Sequence, residues 1–395
     1  MSNSSSVLEP VDEPIDNTPK HSFFERLYTG TGGFQIVGRR RLYYALSAAL
    51  VIIALLSIGF KGFTLGIDFA GGTRIQLPAT AEMSATAVSD AYAKALGHGP
   101  VSVQKVGSGA ASSYEVRSDT LTPEQQNKVQ NALFDAFHPK DSSGAVNRNT
   151  ISIAEISETW GGQITRKALL ALVVFVALTM VYIAIRFERD MSIASIASLF
   201  FNLIVTAGVY SIVGFEVTPA AVIGLLTVLG YVLYDNVVVF DKVEENTRGV
   251  LHLSRRTYGE QANLAANQTL MRSINTTVIG ILPIIGMLVI AVWLLGVGTL
   301  KDLALVQLVG MVVGAYSSIF FAVPLLVTIK ERFGPVSAHT KRVLAKRSTA
   351  TQARMREAAA ERAGAISGPV RPRETPASAP RPGARPSGKR HKRRR

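Results

Sequence analysis

The sequence contains no cysteine, and charged residues are scarce. Without cysteine the chain forms no disulfide, carries no thiol nucleophile and offers no cysteine-based zinc site. Asp, Glu, Lys and Arg make up 18% of its 395 residues, whereas a soluble domain carries about a quarter. The composition therefore favours a membrane protein over a soluble globular one.

Two further absences narrow the function. No Gly-rich phosphate loop of the Walker type occurs, so ATP is not expected to power this chain. The six histidines lie at 21, 98, 138, 252, 339 and 391, without the spacing of metal ligands. The sequence predicts no cofactor, no metal site and no enzymatic activity.

Positive charge is concentrated at one end. The formal net charge is +14, and residues 330–395 alone carry 19 Lys and Arg against 4 Asp and Glu. The rest is close to neutral, which argues against general nucleic-acid binding. The tail from about Ser337 is rich in Arg, Ala and Pro without apolar periodicity, and is predicted to be largely disordered. It contacts anionic lipid or ribosomal RNA, or is a solvated basic anchor, which is the commoner role of such runs.

Six apolar runs each have about the length needed to cross a hydrocarbon core. They cover residues 42–60, 168–185, 191–213, 219–240, 274–295 and 301–329. We predict an all-α bundle of six transmembrane helices, with helix 1 at 42–60 and helices 2 to 6 within 168–329. The polar segment 1–41 makes the first run start too late for a signal peptide.

The distribution of Lys and Arg predicts the orientation. Basic residues at 39–41, 186–189, 241–273 and 330–395 all fall on one side after six crossings, which should be cytoplasmic. Arg166, Lys167 and Lys301 flank helices on the other side but are outnumbered. The expectation is a multi-pass plasma-membrane protein with both termini cytoplasmic and the large first loop, 61–167, external.

The large loop has the pattern of a folded domain. Strands are predicted at 73–77, 101–106, 114–117 and 150–157, and helices at 84–96 and 122–137. The second helix begins with Thr122 as N-cap, Pro123 at N1 and Gln125 at N3, which is a capping box. The order β-α-β-β-α-β predicts an external α+β ferredoxin-like domain.

The stretch YVLYDNVVVF, residues 231–240, places a carboxylate inside a membrane run. In a helix that starts at Pro219, Asp235 lies about 24 Å along, inside the cytoplasmic leaflet. An ionised Asp there costs on the order of 3 kcal/mol, so it is a functional candidate by default. At 100° per residue its face is shared by Ala220, Gly224, Thr227 and Tyr231, and should meet other helices or water.

Arg272, near the start of the fifth run, is the cation best placed to meet Asp235. Moving one charge through the membrane potential releases about 2.3 kcal/mol per 100 mV, comparable to the cost of the carboxylate. We therefore predict a proton-coupling pair of Asp235 and Arg272, supported by the polar residues Tyr231, Asn236, Asn275 and Thr276. The alternatives are a static structural charge at Asp235 and a lipid-phosphate anchor at Arg272.

Three segments resemble the SecF family, partners of SecD in bacterial protein export. They are LGIDFAGGT (65–73), YDNVVVFDKVEEN (234–246) and NQTLMRSINTT (267–277), and the resemblance covers roughly residues 40 to 330. It implies a relation to RND-type transporters, six helices paired with six of SecD, and coupling of proton movement to late translocation of secreted polypeptides beside the SecYEG channel.

The resemblance also implies site residues. Asp235 matches the family's intramembrane acid and Arg272 the basic residue of the fifth helix. The cytoplasmic end of the fourth-helix motif is matched by Asp241, Glu245 and Asn246, and the external turn motif by Gly66, Asp68, Gly71 and Gly72. The glycines should permit a tight turn and Asp68 should cap it. Asn236 departs from the family pattern, which has a small hydroxyl residue there.

The sequence thus predicts a SecF-like translocase subunit. Two alternatives stay open. A half-sized RND exporter of a small molecule or lipid would need an apolar substrate pocket in the external loop. A structural scaffold for SecD would carry Asp235 as a static charge.

Overall fold

The computed structural model describes residues 34–80, 83–141, 143–296, 299–332 and 334–366. Within these residues six helices are long and apolar enough to cross a membrane. They span Arg40–Lys61, Glu158–Arg186, Arg189–Val213, Pro219–His252, Tyr258–Leu294 and Leu300–Arg332. The prediction of six apolar membrane helices is confirmed, and the chain is a multi-pass membrane protein.

The described residues form eleven α-helices and six β-strands. The helices are α1 (Arg40–Lys61), α2 (Ile67–Ala70), α3 (Ala85–Leu96), α4 (Pro123–Phe137), α5 (Glu158–Arg186), α6 (Arg189–Val213), α7 (Pro219–Thr247), α8 (Tyr258–Gly286), α9 (Thr299–Tyr316), α10 (Val323–Arg332) and α11 (Pro335–Ile366). The strands are β1 (Thr64–Leu65), β2 (Gly72–Pro78), β3 (Ser102–Val106), β4 (Ser113–Ser118), β5 (Ser152–Ile156) and β6 (Glu216–Val217). A π-helix, Met287–Leu294, continues α8, and a second, Ser317–Ala322, joins α9 to α10.

The segment between α1 and α5 is an α/β domain. Strands β2 to β5 form an antiparallel sheet in the order β3-β4-β2-β5, and α3 and α4 pack on it through one apolar core. That core includes Ile75, Val116 and Leu133. The expected capping box is present at the start of α4, where Thr122 and Gln125 satisfy each other's backbone N–H groups.

Helices α7 and α9 approach closely through glycine. A Cβ added at Gly310 would lie 2.6 Å from Cγ1 of Val228, and one at Gly314 would lie 2.5 Å from Cγ2 of Val232. Such a small-xxx-small step lets membrane helices pack at short range. The Gly310–Gly314 step therefore serves packing, which positions the π-helix that follows α9 beside α7.

The α/β domain is tied to the membrane bundle by backbone and ionic contacts. β1 pairs in parallel with β6, the strand between α6 and α7. Arg117 of β4 lies 2.5 Å from the Glu216 carboxylate and donates to the Leu65 carbonyl at 2.7 Å. Gln104 donates to Glu216 and accepts from Lys301, at the start of α9. The domain is thus fastened to two connections of the bundle.

The stretch between the fourth and fifth apolar runs, 241–273, is mostly helix: α7 continues to Thr247, and α8 starts at Tyr258 behind a capping box of Thr257 and Glu260. One expectation about the tail is wrong. The disorder predicted from Ser337 fails as far as Ile366, where α11 runs. Its Ala, Arg, Lys and Glu are strong helix formers, and its start is buried at Val336 and His339. The rest of the predicted tail, 367–395, and the start of the N-terminal segment, 1–33, lie outside the described residues.

Candidate functional site

Asp235 lies on α7 where α7, α8 and the second π-helix meet. Ser273 of α8 donates its hydroxyl to Asp235 Oδ2 at 2.7 Å, and Ser318 of the π-helix donates to the same oxygen. Both serines are fully buried, and Asp235 is half-buried. The carboxylate is therefore an acceptor that joins three helices. π-Helical turns are rare and occur frequently at functional sites.

The predicted pairing of Asp235 with Arg272 is not formed. Arg272 is exposed, and its Nη2 donates to the Tyr234 hydroxyl at 3.4 Å. Arg272 and Ser273 are neighbours in sequence and so lie about 100° apart around α8. Since Ser273 faces Asp235, Arg272 points toward the side of α8 that neighbouring helices leave open.

Asn236 is buried to 1% exposure on the face of α7 that contacts the rest of the bundle. Its Oδ1 and Nδ2 have no hydrogen-bond partner among the described residues, and the same holds for the hydroxyls of Ser195 and Ser198 on α6. Gly314 contacts both Val232 and Asn202. The residues one helical turn from Val232, Asn202 and Gly314, in the direction away from the α/β domain, are Asn236, Ser198 and Ser318. A buried polar layer therefore extends inward from Asp235.

The polar stripe predicted on α7 is only partly enclosed. Tyr231 is 49% exposed, and Thr227 is also exposed. With Asp235 and Thr276 they line two adjoining cavities between α7, α8 and α9, of which the larger has a volume of about 490 Å³. Asn275 is exposed beside them on α8. The site thus opens on a surface of the bundle that the described residues do not cover.

The residues at the end of α7 form separate contacts. Asp241 pairs with Arg186 at 2.7 Å, Glu245 with Lys242 at 2.9 Å, and Asn246 donates to Gln268 at 2.9 Å. The first contact joins α7 to α5, the second lies within α7, and the third joins α7 to α8. They lie more than one helical turn from Asp235 and none of them contacts its carboxylate.

The glycine motif sits at the other end of the bundle. Gly71 and Gly72 have φ of 79° and 131°, and a Cβ at either would lie within 3 Å of backbone atoms of Glu158 or Ser118. Gly66 is extended and donates to the Val217 carbonyl. The expected cap by Asp68 is wrong. Asp68 lies in the first turn of α2 without a cap hydrogen bond, and its carboxylate lies 3.7 Å from Arg74.

Sequence reasoning missed both hydroxyl partners of Asp235. Ser273 follows the more conspicuous Arg272, and Ser318 is the second residue of a π-helix, where a regular 3.6-residue wheel no longer gives the facing side. A Ser-Ser pair inside an apolar run, at the depth of an opposing carboxylate, was the available signal.

Family models match most of this architecture. One, described as Protein export membrane protein SecD/SecF, C-terminal, matches residues 139–332. A second, the SecD/SecF GG Motif, matches residues 56–82, which include Gly71 and Gly72. The membrane bundle and its glycine motif therefore define a protein of the SecD/SecF class.

Sequence identity to individual proteins identifies the family within this class. A protein translocase subunit SecF from Mycobacterium tuberculosis is 57% identical over 353 residues, which cover 89% of this chain and 80% of the relative. Another from Streptomyces coelicolor is 39% identical, with 92% and 97% covered. The chain belongs to the SecF family.

A solved structure shares the fold. The crystal structure of SecDF, a translocon-associated membrane protein from Thermus thermophilus, aligns with a TM-score of 0.64 at 29% identity. The match covers 75% of this chain and 39% of that longer chain.

Proposed function

We propose that this chain is the SecF subunit of a protein translocase and, with a SecD-like subunit, couples the proton motive force to late steps of protein export. The observation that carries the proposal is the intramembrane carboxylate of Asp235, which accepts two buried hydroxyls and pairs with no described cation. A carboxylate in that position can gain and lose a proton without breaking an ion pair.

The contacts of Asp235 give that proton a structural effect. Hydrogen bonds to an ionised acceptor are roughly twice as strong as neutral ones. Protonation therefore weakens the links from α7 to Ser273 and Ser318, whichever oxygen takes the proton. The Ser318 hydroxyl has a second acceptor in the Ala315 carbonyl, at 3.3 Å. The π-helix is thus the element that responds, and Arg272, Tyr231 and Thr276 would line the proton's entry from the open side.

We assign the α/β domain as an external ferredoxin-like domain. The element order and the strand order β3-β4-β2-β5 support the split βαβ plan. The basic residues at the opposite end of the bundle support a cytoplasmic location for both termini. By this assignment 1–41 is a cytoplasmic segment, 61–167 the external domain and its connectors, and the basic tail from 330 faces anionic lipid or the ribosome.

The partners follow from the open site. The Thermus thermophilus relative joins SecD and SecF in its name, and this chain matches 39% of it. A separate SecD-like subunit would supply the helices that cover the cavities beside Tyr231 and Thr276. The complex would act beside the SecYEG channel on secreted polypeptides, with no bond-making catalysis by this chain.

The alternatives make different demands on the α/β domain. A small-molecule or lipid exporter needs an apolar substrate pocket there. A cavity at the sheet of the domain is small and charged, with Arg74, Glu115, Arg117 and Glu216 in its wall, and an apolar cavity that Phe63, Leu65 and Phe69 help to line is formed mostly by membrane helices. The polarity at the sheet favours the translocase. A scaffold for SecD would need no proton at Asp235, and is separated by experiment.

The test replaces Asp235 with Asn, with Asp135→Asn on the exposed surface of α4 as a charge-matched control. Vesicles that contain the SecD–SecF pair and SecYEG export a radiolabelled precursor with and without an uncoupler. We expect D235N to export at the uncoupled rate under both conditions, while SecD still co-purifies and D135N behaves as wild type. Normal stimulation of D235N by the proton motive force would refute the coupling role and leave the scaffold.

A further inference from the structure

A short segment before α1 is held by two asparagines of α8, at the end of the bundle opposite the α/β domain. The Phe34 N–H donates to Asn267 Oδ1 at 2.9 Å, and Asn267 Nδ2 donates back to the Phe34 carbonyl at 2.9 Å. One turn earlier on α8, Asn263 accepts the Val37 N–H at 3.0 Å and donates to the Phe34 carbonyl at 3.1 Å. We call residues 34–38 the strap.

The strap is also packed against α10. A Cβ added at Gly259, in the first turn of α8, would lie 3.5 Å from Cγ1 of Val37 and 3.4 Å from Cγ1 of Val327 on α10. Just after the strap, Arg40 lies 2.8 Å from the Glu331 carboxylate of α10. The strap therefore joins α8 to α10.

An apolar layer lies between the strap and Asp235. One helical turn toward the strap from the carboxylate and its two hydroxyl partners, the three elements carry Val239, Leu270 and Ala322. All three side chains are buried and belong to the same apolar cluster as Ile36 of the strap, which has no exposed surface. On this side Asp235 is thus covered by apolar packing that the strap completes.

The cavities beside Asp235 lie on its other side. The wall of the larger one includes Thr227, Gly280 and Gln307, and along its own helix each of these lies nearer the α/β domain than the level of Asp235. The carboxylate is therefore open on the side of the α/β domain and closed on the side of the strap. Transport by alternating access needs each side to open in turn.

We propose that the strap is the gate on the second side of Asp235, and that Asn263 and Asn267 are the positioning residues that keep it closed. This inference rests on the proposed coupling function, in whose topology the strap is cytoplasmic. Release of the strap would open Asp235 to the cytoplasm after a proton has reached it from outside. The gate and the carboxylate share their elements, because Ser273 is on α8 and α10 continues the π-helix of Ser318.

The position of the strap makes its release reversible. Asn267 lies about 9 Å along α8 from Ser273. With Pro219 at the outer edge of a hydrocarbon core about 30 Å thick, that level is close to the inner edge. The released backbone groups and amides would meet water there, and exchange of protein hydrogen bonds for water costs little.

The first test locks the strap. The chain has no cysteine, so Val37→Cys/Gly259→Cys introduces one defined disulfide at a site where the side chains are close enough to form it. Vesicles with the SecD–SecF pair and SecYEG export a radiolabelled precursor with and without an uncoupler. We expect oxidised V37C/G259C to lose stimulation by the proton motive force, keep its uncoupled rate and regain stimulation with reductant. Single V37C, treated with the same oxidant, is the control.

The second test weakens the latch. Asn263→Ala/Asn267→Ala should raise the proton leak of vesicles that contain only the SecD–SecF pair about tenfold, the shift expected from losing one hydrogen bond of ordinary strength. A pH-sensitive dye measures the leak. Adding D235N should abolish the increase, because the leak passes through that carboxylate. Ser57→Ala is the control, since it removes a hydrogen bond of α1 to Ser211 at the other end of the bundle.

The outcomes separate the gate from the coupling role. Full stimulation of oxidised V37C/G259C would show that the strap does not move and overturn the gate, with coupling intact. An unchanged leak in folded N263A/N267A, or one that persists with D235N, would also overturn it. If wild type itself shows no stimulation, the proposed function fails and the gate with it. If N263A/N267A does not fold, the disulfide decides.

Discussion

At the scale of single residues, two buried asparagines of the membrane bundle differ in whether their side-chain amides are hydrogen-bonded. The amide of Asn202 donates to the Gly310 carbonyl at 2.9 Å, whereas that of Asn236 has no partner among the described residues. Both side chains are fully buried. A buried polar group without a partner costs about 1–3 kcal/mol. Position 236 is thus a place where stability has been given up beside the carboxylate of Asp235.

Replacing Asn236 with Leu should raise the free energy of unfolding by about 1–2 kcal/mol, because an unsatisfied amide is replaced by an apolar group of similar size. Asn202→Leu is the control, and should lower stability because it removes the hydrogen bond from the Asn202 amide to the Gly310 carbonyl. Thermal unfolding of the purified SecD–SecF pair in detergent measures both. A lower melting temperature for N236L than for wild type would show that the amide has a partner in the assembled protein.

Not every residue in this region was equally predictable from the sequence. Asp235 was evident, because a carboxylate inside an apolar run is costly and is usually present for a functional reason. Its partners were not, because which of Arg272 or Ser273 faces α7 depends on a rotation of α8 that neighbouring helices set. The expected cap by Asp68 was wrong for a similar reason. The Asp68 carboxylate lies beside Arg74, and that contact depends on how β2 folds back against the turn.

At the scale of elements, α7 and α9 pack closely because glycines of α9 leave room for side chains of α7. Gly310 and Gly230 are both glycines in apolar helices, yet a Cβ at Gly310 would overlap Val228, and one at Gly230 would meet nothing within 4 Å. A Gly-xxx-Gly spacing in an apolar run is typical of close helix packing, but it does not say which helix approaches. Helix ends with caps, such as Thr122, were predictable because their hydrogen bonds are local.

Gly310→Ala should destabilise the bundle by about 1–3 kcal/mol, the usual cost of forcing an extra group into a packed interface. Gly230→Ala should be neutral or slightly stabilising, since Ala is the better helix former by about 1 kcal/mol. Unfolding by denaturant in mixed micelles compares the two. Equal stability of G310A and G230A would mean that α7 and α9 can shift enough to accommodate the extra methyl group beside Val228.

At the scale of the whole molecule, the α/β domain and the bundle behave as one fastened unit. Arg117 is 5% exposed and lies against Glu216, and Lys301 reaches Gln104 from the start of α9. Because α9 leads into the π-helix with Ser318, the domain and Asp235 are connected through a single continuous segment. Composition and periodicity predicted the α/β domain and the membrane bundle separately. They could not predict contacts between residues so far apart in sequence.

Arg117→Gln should loosen this junction, because removing one partner of a buried ion pair costs about 3–5 kcal/mol. Amide hydrogen exchange in β6 and in β1 should rise markedly. Arg74→Gln is the control, since Arg74 pairs with Glu115 and Asp68 inside the domain and contacts no residue of the bundle through these ion pairs. Unchanged exchange in β6 of R117Q would show that the two-residue strand pair holds the junction alone.

The strand pair between β1 and β6 also has a consequence for biogenesis. Thr64 and Leu65 find their partners, Glu216 and Val217, only after two further membrane helices have been made. Chains are synthesised from the N-terminus, and Arg117 precedes its counter-charge by about 100 residues, so the domain cannot complete its attachment while it is emerging. Insertion of α5 and α6 must therefore come before docking, and a ribosome that stalls in this interval would leave a folded domain on an unfinished membrane anchor.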